Sequence, residues 1–225
     1  MNGVVVVNGV PKETQPPSFK AKVFPSLDSA KERLALPVPT RRALMVAFAR
    51  DVVKACDGLP VLLVADREWQ ELLPDTPVVA DPGQGLNAAV RRGLAVFSGR
   101  PVLVVMGDLP CLTPDAVGQA VDQLQHTSFF VPDRDGCGTT VLAGTADDLR
   151  PAFGPESAAA HRQLGYEEWA DTPGQLLRYD VDCVDDLTAA VAAGVGLHTH
   201  SQWVADETTR WDRPEGRSHR NCQLD

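Results

Sequence analysis

Apolar residues in this chain fall into short blocks, separated by stretches in which they recur every three or four positions. The blocks at 4–7, 61–65, 78–80, 102–106, 128–131, 139–143 and 176–181 predict strands. Those at 61–65 and 102–106 are apolar at every position, the pattern of strands covered on both faces. Between the blocks lie helical patterns. Leu44, Phe48, Val52 and Ala55 form one stripe behind Thr40 as N-cap, and a second helix is predicted over 86–97. A third opens on Thr113 as N-cap with Pro114 in its first turn and runs to Leu124; a fourth covers 185–193. Strand, helix, strand at this spacing predicts an α/β fold, a largely parallel sheet with helices on both faces.

Two regions break the pattern. Residues 8–22 are a Pro-rich polar connection, and residues 201–225 show no apolar period and are expected to be a mobile tail behind a domain of residues 1–200. With 225 residues, 44% of them apolar, the chain can bury a core without metal or disulfide staples. Its net charge of −9 argues against a nucleic-acid partner and means that an anionic substrate must be met by local cations. No apolar run approaches the ~20 residues of a membrane helix, and the first residues lack the basic segment of a signal peptide. The cysteines, Cys56, Cys111, Cys137, Cys183 and Cys222, are odd in number and form no CxxC. Buried free thiols in a reducing cytoplasm are expected.

In open parallel sheets ligands bind at the carboxyl ends of the strands, which directs attention to the residues after each block. The block at 102–106 delivers Gly107-Asp108-Leu109-Pro110, a carboxylate at a buried strand end; a turn-capping aspartate is the competing reading. Asp180 and Asp182 are two apart and share one face in extended chain, so a divalent cation between them is the economical explanation, with oxygen ligands favouring Mg²⁺ or Mn²⁺. Asp182 could instead cap the following helix, which ranks Asp180 above it. Residues 133–140 are a glycine loop ending in Thr139 and Thr140, suited to an anion or to a hairpin turn. Phe153-Gly154-Pro155-Glu156-Ser157 opens a helix whose first N–H groups and Ser157 hydroxyl form a candidate anion site. His161, one turn on, reads as a partner for Ser157 or as a solvated side chain. Lys31 and Arg33 are solvated charges by default, or cations for a triphosphate. Residues 80–87 form a glycine loop and helix start in which Gly85 would pack against a nucleoside and Asn87 could read a base edge.

Together the AKxRLA segment, the ADPGxGLNAA loop, GDLP, DxxGxGTT, FGPxSAAAHR and DVDxxxDL stand in an order that resembles the 2-phospho-L-lactate / phosphoenolpyruvate guanylyltransferase family of coenzyme F-420 biosynthesis, over residues 23–200. The resemblance implies a GT-A-like (MobA-like) nucleotidyltransferase fold, a three-layer α/β/α sandwich with a mixed, mostly parallel sheet. It implies an enzyme that moves GMP from GTP to the phosphate of phosphoenolpyruvate or 2-phospho-L-lactate and releases pyrophosphate. Asp108, Asp180 and Asp182 would hold Mg²⁺, and Thr139, Gly154 and Ser157 would bind the acceptor. Lys31 and Arg33 would face the GTP phosphates with Asp108 in the catalytic group, and Gly85 and Asn87 the nucleoside. Small molecules, not nucleic acid or membrane, would be its partners, with room for a homodimer. Another nucleotidyl- or nucleotide-sugar transferase of the same fold, or a catalytically silent nucleotide-binding relative, are the alternatives.

One departure bears on the chemistry. Phe24-Pro25 stand where the family carries Val-Lys, so either Lys12 or Lys22 substitutes for the absent lysine or triphosphate binding is weakened. The reaction itself asks little of acid–base groups. A phosphate monoester is mostly dianionic at neutral pH and attacks phosphorus without a general base. The protein's task is to hold mutually repelling anions in line.

Overall fold

The apolar blocks pair as one seven-stranded sheet in the computed structural model, which describes residues 3–7, 31–169 and 174–207. β1 (Gly3–Val7) lies between β2 (Val61–Ala65) and β4 (Pro101–Met106), with β3 (Val78–Ala80) outside β2, and all four run parallel. Beyond β4 follow β6 (Thr139–Thr145), β5 (Phe129–Pro132) and a two-residue β7 (Glu167–Glu168). β6 alone is antiparallel to its neighbours, which makes the sheet mixed. The helices are α1 (Val38–Ala55), α2 (Trp69–Leu72), α3 (Leu86–Leu94), α4 (Pro114–Leu124), α5 (Ser157–Gln163), α6 (Val184–Ala193) and α7 (Leu197–Glu207). Among the described residues no helix is long and apolar enough to cross a membrane.

The predicted α1 stripe is buried throughout, yet it serves two cores. Val52 and Ala55 join the main cluster with Leu63, Val104, Phe130 and Leu142 from the sheet, whereas Leu44 and Phe48 join Leu34, Val181 and Leu187 in a second cluster closed by Trp203. Burying side chains of this size contributes ~1.5–3 kcal/mol each, so α1 is held from both sides.

Four expectations change. α1 begins at Val38 behind Pro37, not at Thr40, because prolines at 37 and 39 preset the backbone of a first turn. The block at 176–181 is not a strand. It forms a 3-10 turn over Gly174–Arg178, after which the Val181 N–H donates to the Asp108 carbonyl at 3.1 Å. α6 is capped from within, since Asp186 accepts the N–H groups of Asp182 (3.1 Å) and Cys183 (2.9 Å), which relieves Asp182 of that duty. Residues 201–207, assigned to the tail by sequence, continue α7; its start is capped by Asp51 of α1, which no local pattern could show. Residues 8–22, Phe24-Pro25 and 208–225 lie outside the described residues.

Candidate active site

The carboxyl ends of the parallel strands open on one edge of the sheet. Because β6 runs the other way, its first residue arrives at that same edge. Val105 pairs with Val141, and continuing the register sets Gly107 beside Thr139. β5 ends there too, with Pro132 opposite Thr139 and Asp133 next in the chain. One sheet edge therefore gathers Asp108, Asp133 and Thr139 from three strands.

Asp108 is 7% exposed. The Lys31 ammonium bridges its Oδ2 and, at 2.6 Å, the Oδ1 of Asp182, whose other oxygen pairs with Arg33. The Val181 hydrogen bond lays the 180–182 segment against Asp108, so the aspartates on either side of residue 181 come to its side. Burial pushes the Asp180 carboxyl up to about 8, helped by the Asp108 and Asp182 charges and opposed by Lys31. Burial alone would lower the Lys31 pKa, but Asp108 and Asp182 together outweigh it and raise it. Lys31 has φ +55° and Glu156 φ +56°; two of the three described non-glycine residues in the left-handed region thus stand at sequence-predicted site positions.

Asp108 Oδ1 is buried and, among the described residues, has no hydrogen-bond partner. An orphaned carboxylate oxygen beside two further carboxylates is the donor chemistry of a hard divalent cation, so the residues fit one. Among the described residues no three His, Cys, Asp or Glu side chains are spaced as a finished metal cage. Lys31 supplies the counter-charge to Asp108 and Asp182.

The glycine loop at 133–138 is held by Asp133, the first residue of the DxxGxGTT motif. Asp133 accepts the N–H groups of Cys137 and Gly138, both at 2.9 Å, and a Cβ on Gly138 would lie 2.4 Å from its Oδ2. Arg178 donates to the Asp133 carbonyl (3.1 and 2.8 Å), and Arg134 lies 4.9 Å over the Tyr179 ring. These ties fasten the loop to the segment carrying Asp180. Only the spacing Asp-x₄-Gly hinted at such a turn.

Thr139 and Thr140 point to opposite sides of β6. The Thr140 hydroxyl donates to the Val131 carbonyl at 3.2 Å, whereas Thr139 Oγ1 lies 2.9 Å from His161 Nδ1. His161 is not solvated but completely buried, and it partners Ser157 through that residue's backbone; burial lowers its pKa to about 4, opposed in part by the Ser157 backbone bond. The expected cradle of helix N–H groups is also smaller than predicted. α5 starts at Ser157 with Glu156 as N-cap, the Ser157 N–H already donates to Gly154 (3.2 Å) and the Ala158 N–H to Cys137 (3.0 Å). The buried Ser157 side chain and Gly154, whose φ of +141° only glycine adopts readily, remain at this turn.

Gly85 caps α3 with φ +85° and ψ 170°, a conformation reserved for glycine although a Cβ would meet nothing within 4 Å. Asn87 does not stand free to read a base. Its Oδ1 accepts the Phe153 N–H and its Nδ2 donates to the Phe153 carbonyl, both at 2.8 Å, which ties the Gly85 loop to the Gly154 loop and leaves one N–H for a ligand. Of the cysteines, Cys56 and Cys111 are buried free thiols as expected, pushed up to about 12 by burial, and Cys183 is a half-buried free thiol. Cys137 departs from expectation in being disulfide-bonded.

The chain matches the model of the MobA-like NTP transferase domain over residues 30–207. It is 38% identical over 190 residues to a phosphoenolpyruvate guanylyltransferase of Streptomyces coelicolor, covering 77% of this chain and 90% of that one. Among solved structures, a Desulfovibrio desulfuricans protein described as a nucleotide-diphospho-sugar transferase superposes with a TM-score of 0.63 at 17% identity, covering 92% of this chain and 95% of the other. A Mycobacterium tuberculosis protein in complex with manganese superposes with a TM-score of 0.51 at 17% identity, covering 85% and 97%. The structural likenesses show the fold, an α/β architecture of the kind that the apolar pattern predicts and the family resemblance implies.

Proposed function

The chain belongs to the MobA-like NTP transferase family, among the phosphoenolpyruvate guanylyltransferases, and from that premise we propose that it transfers GMP from GTP to the phosphate of phosphoenolpyruvate, a step of coenzyme F-420 biosynthesis. The observation that carries the reading is the cluster at the end of β4: a buried, half-satisfied Asp108 with Asp180 and Asp182 beside it and Lys31 bridging two of the three.

Asp108, Asp180 and Asp182 would hold Mg²⁺, which when bound supplies charge neutralisation for the triphosphate. The Lys31 ammonium, which lies between Asp108 and Asp182, and the exposed Arg33 guanidinium would face the phosphate oxygens of GTP. The left-handed backbone at Lys31 fixes where that ammonium starts from. The Gly85 turn receives the nucleoside, and the remaining N–H of Asn87 faces it. Thr139, Gly154 and Ser157 receive the phospho-acid, and the Asn87–Phe153 pair keeps the two loops in step. An acceptor phosphate oxygen attacks the α-phosphorus of GTP, the bond to the bridging oxygen of the β-phosphate breaks, and pyrophosphate leaves with that electron pair. No side chain needs to remove a proton, because the attacking phosphate is already ionised. The protein's contribution is orientation and charge, worth ~7–11 kcal/mol where alignment is good.

The test is pyrophosphate release from GTP and Mg²⁺ with phosphoenolpyruvate, 2-phospho-L-lactate or a sugar phosphate as acceptor. Release with phosphoenolpyruvate is expected. Release with the sugar phosphate alone, or GTP binding without release from any acceptor, would overturn the assignment.

A further inference from the structure

Building on Thr139 as a contact of the phospho-acid, we propose that His161 is a positioning residue that fixes the Thr139 hydroxyl as a hydrogen-bond donor toward the acceptor anion. The argument starts from a group that can only donate. The backbone N–H of Ala152 lies 3.1 Å from His161 Nε2, so Nε2 is the acceptor in that pair. A neutral imidazole with its lone pair on Nε2 carries its hydrogen on Nδ1. Nδ1 lies 2.9 Å from Thr139 Oγ1, so the threonine oxygen accepts, sharing the Nδ1 hydrogen with the Ser157 backbone, and the threonine cannot donate to the ring. Its own hydrogen is turned away from the ring, and among the described residues no other group takes it.

The environment keeps this arrangement single-valued. The imidazole is completely buried, with the rings of Phe153 at 5.2 Å and of Phe130 and Tyr166 at 5.8 Å. A doubly protonated ring would set a second N–H against the Ala152 N–H, with no acceptor there. The adjacent threonine shows the contrast: the Thr140 hydrogen is consumed by the Val131 carbonyl. The direction of the Thr139 bond decides what the site offers. A phosphate or carboxylate presents only acceptors, so a threonine donating to the ring would turn lone pairs toward the anion. A threonine accepting from the ring turns its hydrogen outward. The same imidazole grips Ala152, two residues before Gly154, so the two acceptor contacts are held through one side chain.

Two substitutions separate the ring's edges. In His161→Asn the amide N–H can replace Nδ1–H toward Thr139, while the bond to Ala152 is lost. In His161→Gln the amide oxygen can replace Nε2 toward Ala152, while the donor to Thr139 is lost. With pyrophosphate release as the assay, His161→Gln is expected to raise the KM for phosphoenolpyruvate roughly tenfold, the loss of one bond to a charged group, with the KM for GTP within about twofold. His161→Asn is expected to stay within about threefold on both. Thr139→Val should match His161→Gln, and the double variant should be no worse than Thr139→Val alone. Independently of any variant, ¹⁵N NMR of histidine-labelled protein should show His161 as the Nδ1–H tautomer at pH 7. An Nε2–H tautomer, equal KM changes in the Asn and Gln variants that follow thermal stability, or full additivity with Thr139→Val would overturn the proposal. An unmodified protein that releases no pyrophosphate from any phospho-acid would overturn the function; an active one with a normal phosphoenolpyruvate KM in His161→Gln overturns only the positioning role.

Discussion

Asp51 and Asp108 are almost equally buried, 4% and 7% exposed, and the fold treats them in opposite ways. Asp51 sits within α1 and receives three donors from the start of α7: the N–H groups of His198 (3.0 Å) and Thr199 (2.8 Å) and the His198 ring nitrogen (2.8 Å). Gly196 makes room for it, since a Cβ there would lie 2.3 Å from the Asp51 carboxyl carbon. Asp108 has a lysine on one oxygen and, among the described residues, no partner on the other. A carboxylate that builds a fold is saturated by the fold; one that serves a ligand is left with capacity. The same division separates Thr140 from Thr139.

The comparison can be broken first at Asp108. Asp108→Asn should lower kcat by about 10³-fold or more, because the residue acts on charge built up in the transition state, while stability stays within about 1 kcal/mol. Pyrophosphate release and chemical denaturation check both halves. At Asp51 the expectation inverts. Asp51→Ala should cost about 3 kcal/mol of stability through the lost helix cap and the stranded donors, with kcat per folded molecule unchanged.

The sequence made Asp108 legible because a parallel strand apolar at every position must end at the ligand edge, and Gly-Asp-Leu-Pro is where that strand stops. Asp182 stayed ambiguous because a helix cap and a metal ligand look alike in one dimension; Asp186, four residues on, decides between them. The block at 176–181 read as a strand because Leu-Leu-Arg-Tyr-Asp-Val carries strand formers, yet it folds as a 3-10 turn and Val181 bonds to the Asp108 carbonyl. β7 is two exposed glutamates that become a strand only by pairing with Phe129 and Phe130. The Thr139–His161 and Asn87–Phe153 pairs join residues 22 and 66 apart, and no local pattern carries such partnerships.

A third prediction concerns a buried group that is saturated and still titrates. His161 has its pKa lowered from 6.5 to about 4, so between these values the unfolded chain takes up a proton that the native protein refuses. Stability is complete above pH 6.5 and falls as pH drops toward 4, by at most about 1.4 kcal/mol per pH unit from this residue. Melting temperatures of the parent and His161→Asn between pH 7 and 4.5 should converge on acidification. Parallel curves would show that the ring titrates alike in the native and unfolded protein. The smallest effect is expected at the loop before α3. Gly85→Ala forces a side chain into φ +85°, ψ 170° and should cost about 1–2 kcal/mol of local order, raising the KM for GTP several-fold and sparing that for phosphoenolpyruvate.

The most direct test of the central claim is a titration of Mn²⁺ into the protein, with a non-hydrolysable GTP analogue present, followed by electron paramagnetic resonance. The unmodified protein and Asp51→Ala should bind the ion alike, and Asp108→Asn should lose the binding. Equal Mn²⁺ affinity in Asp108→Asn and the parent would contradict the account.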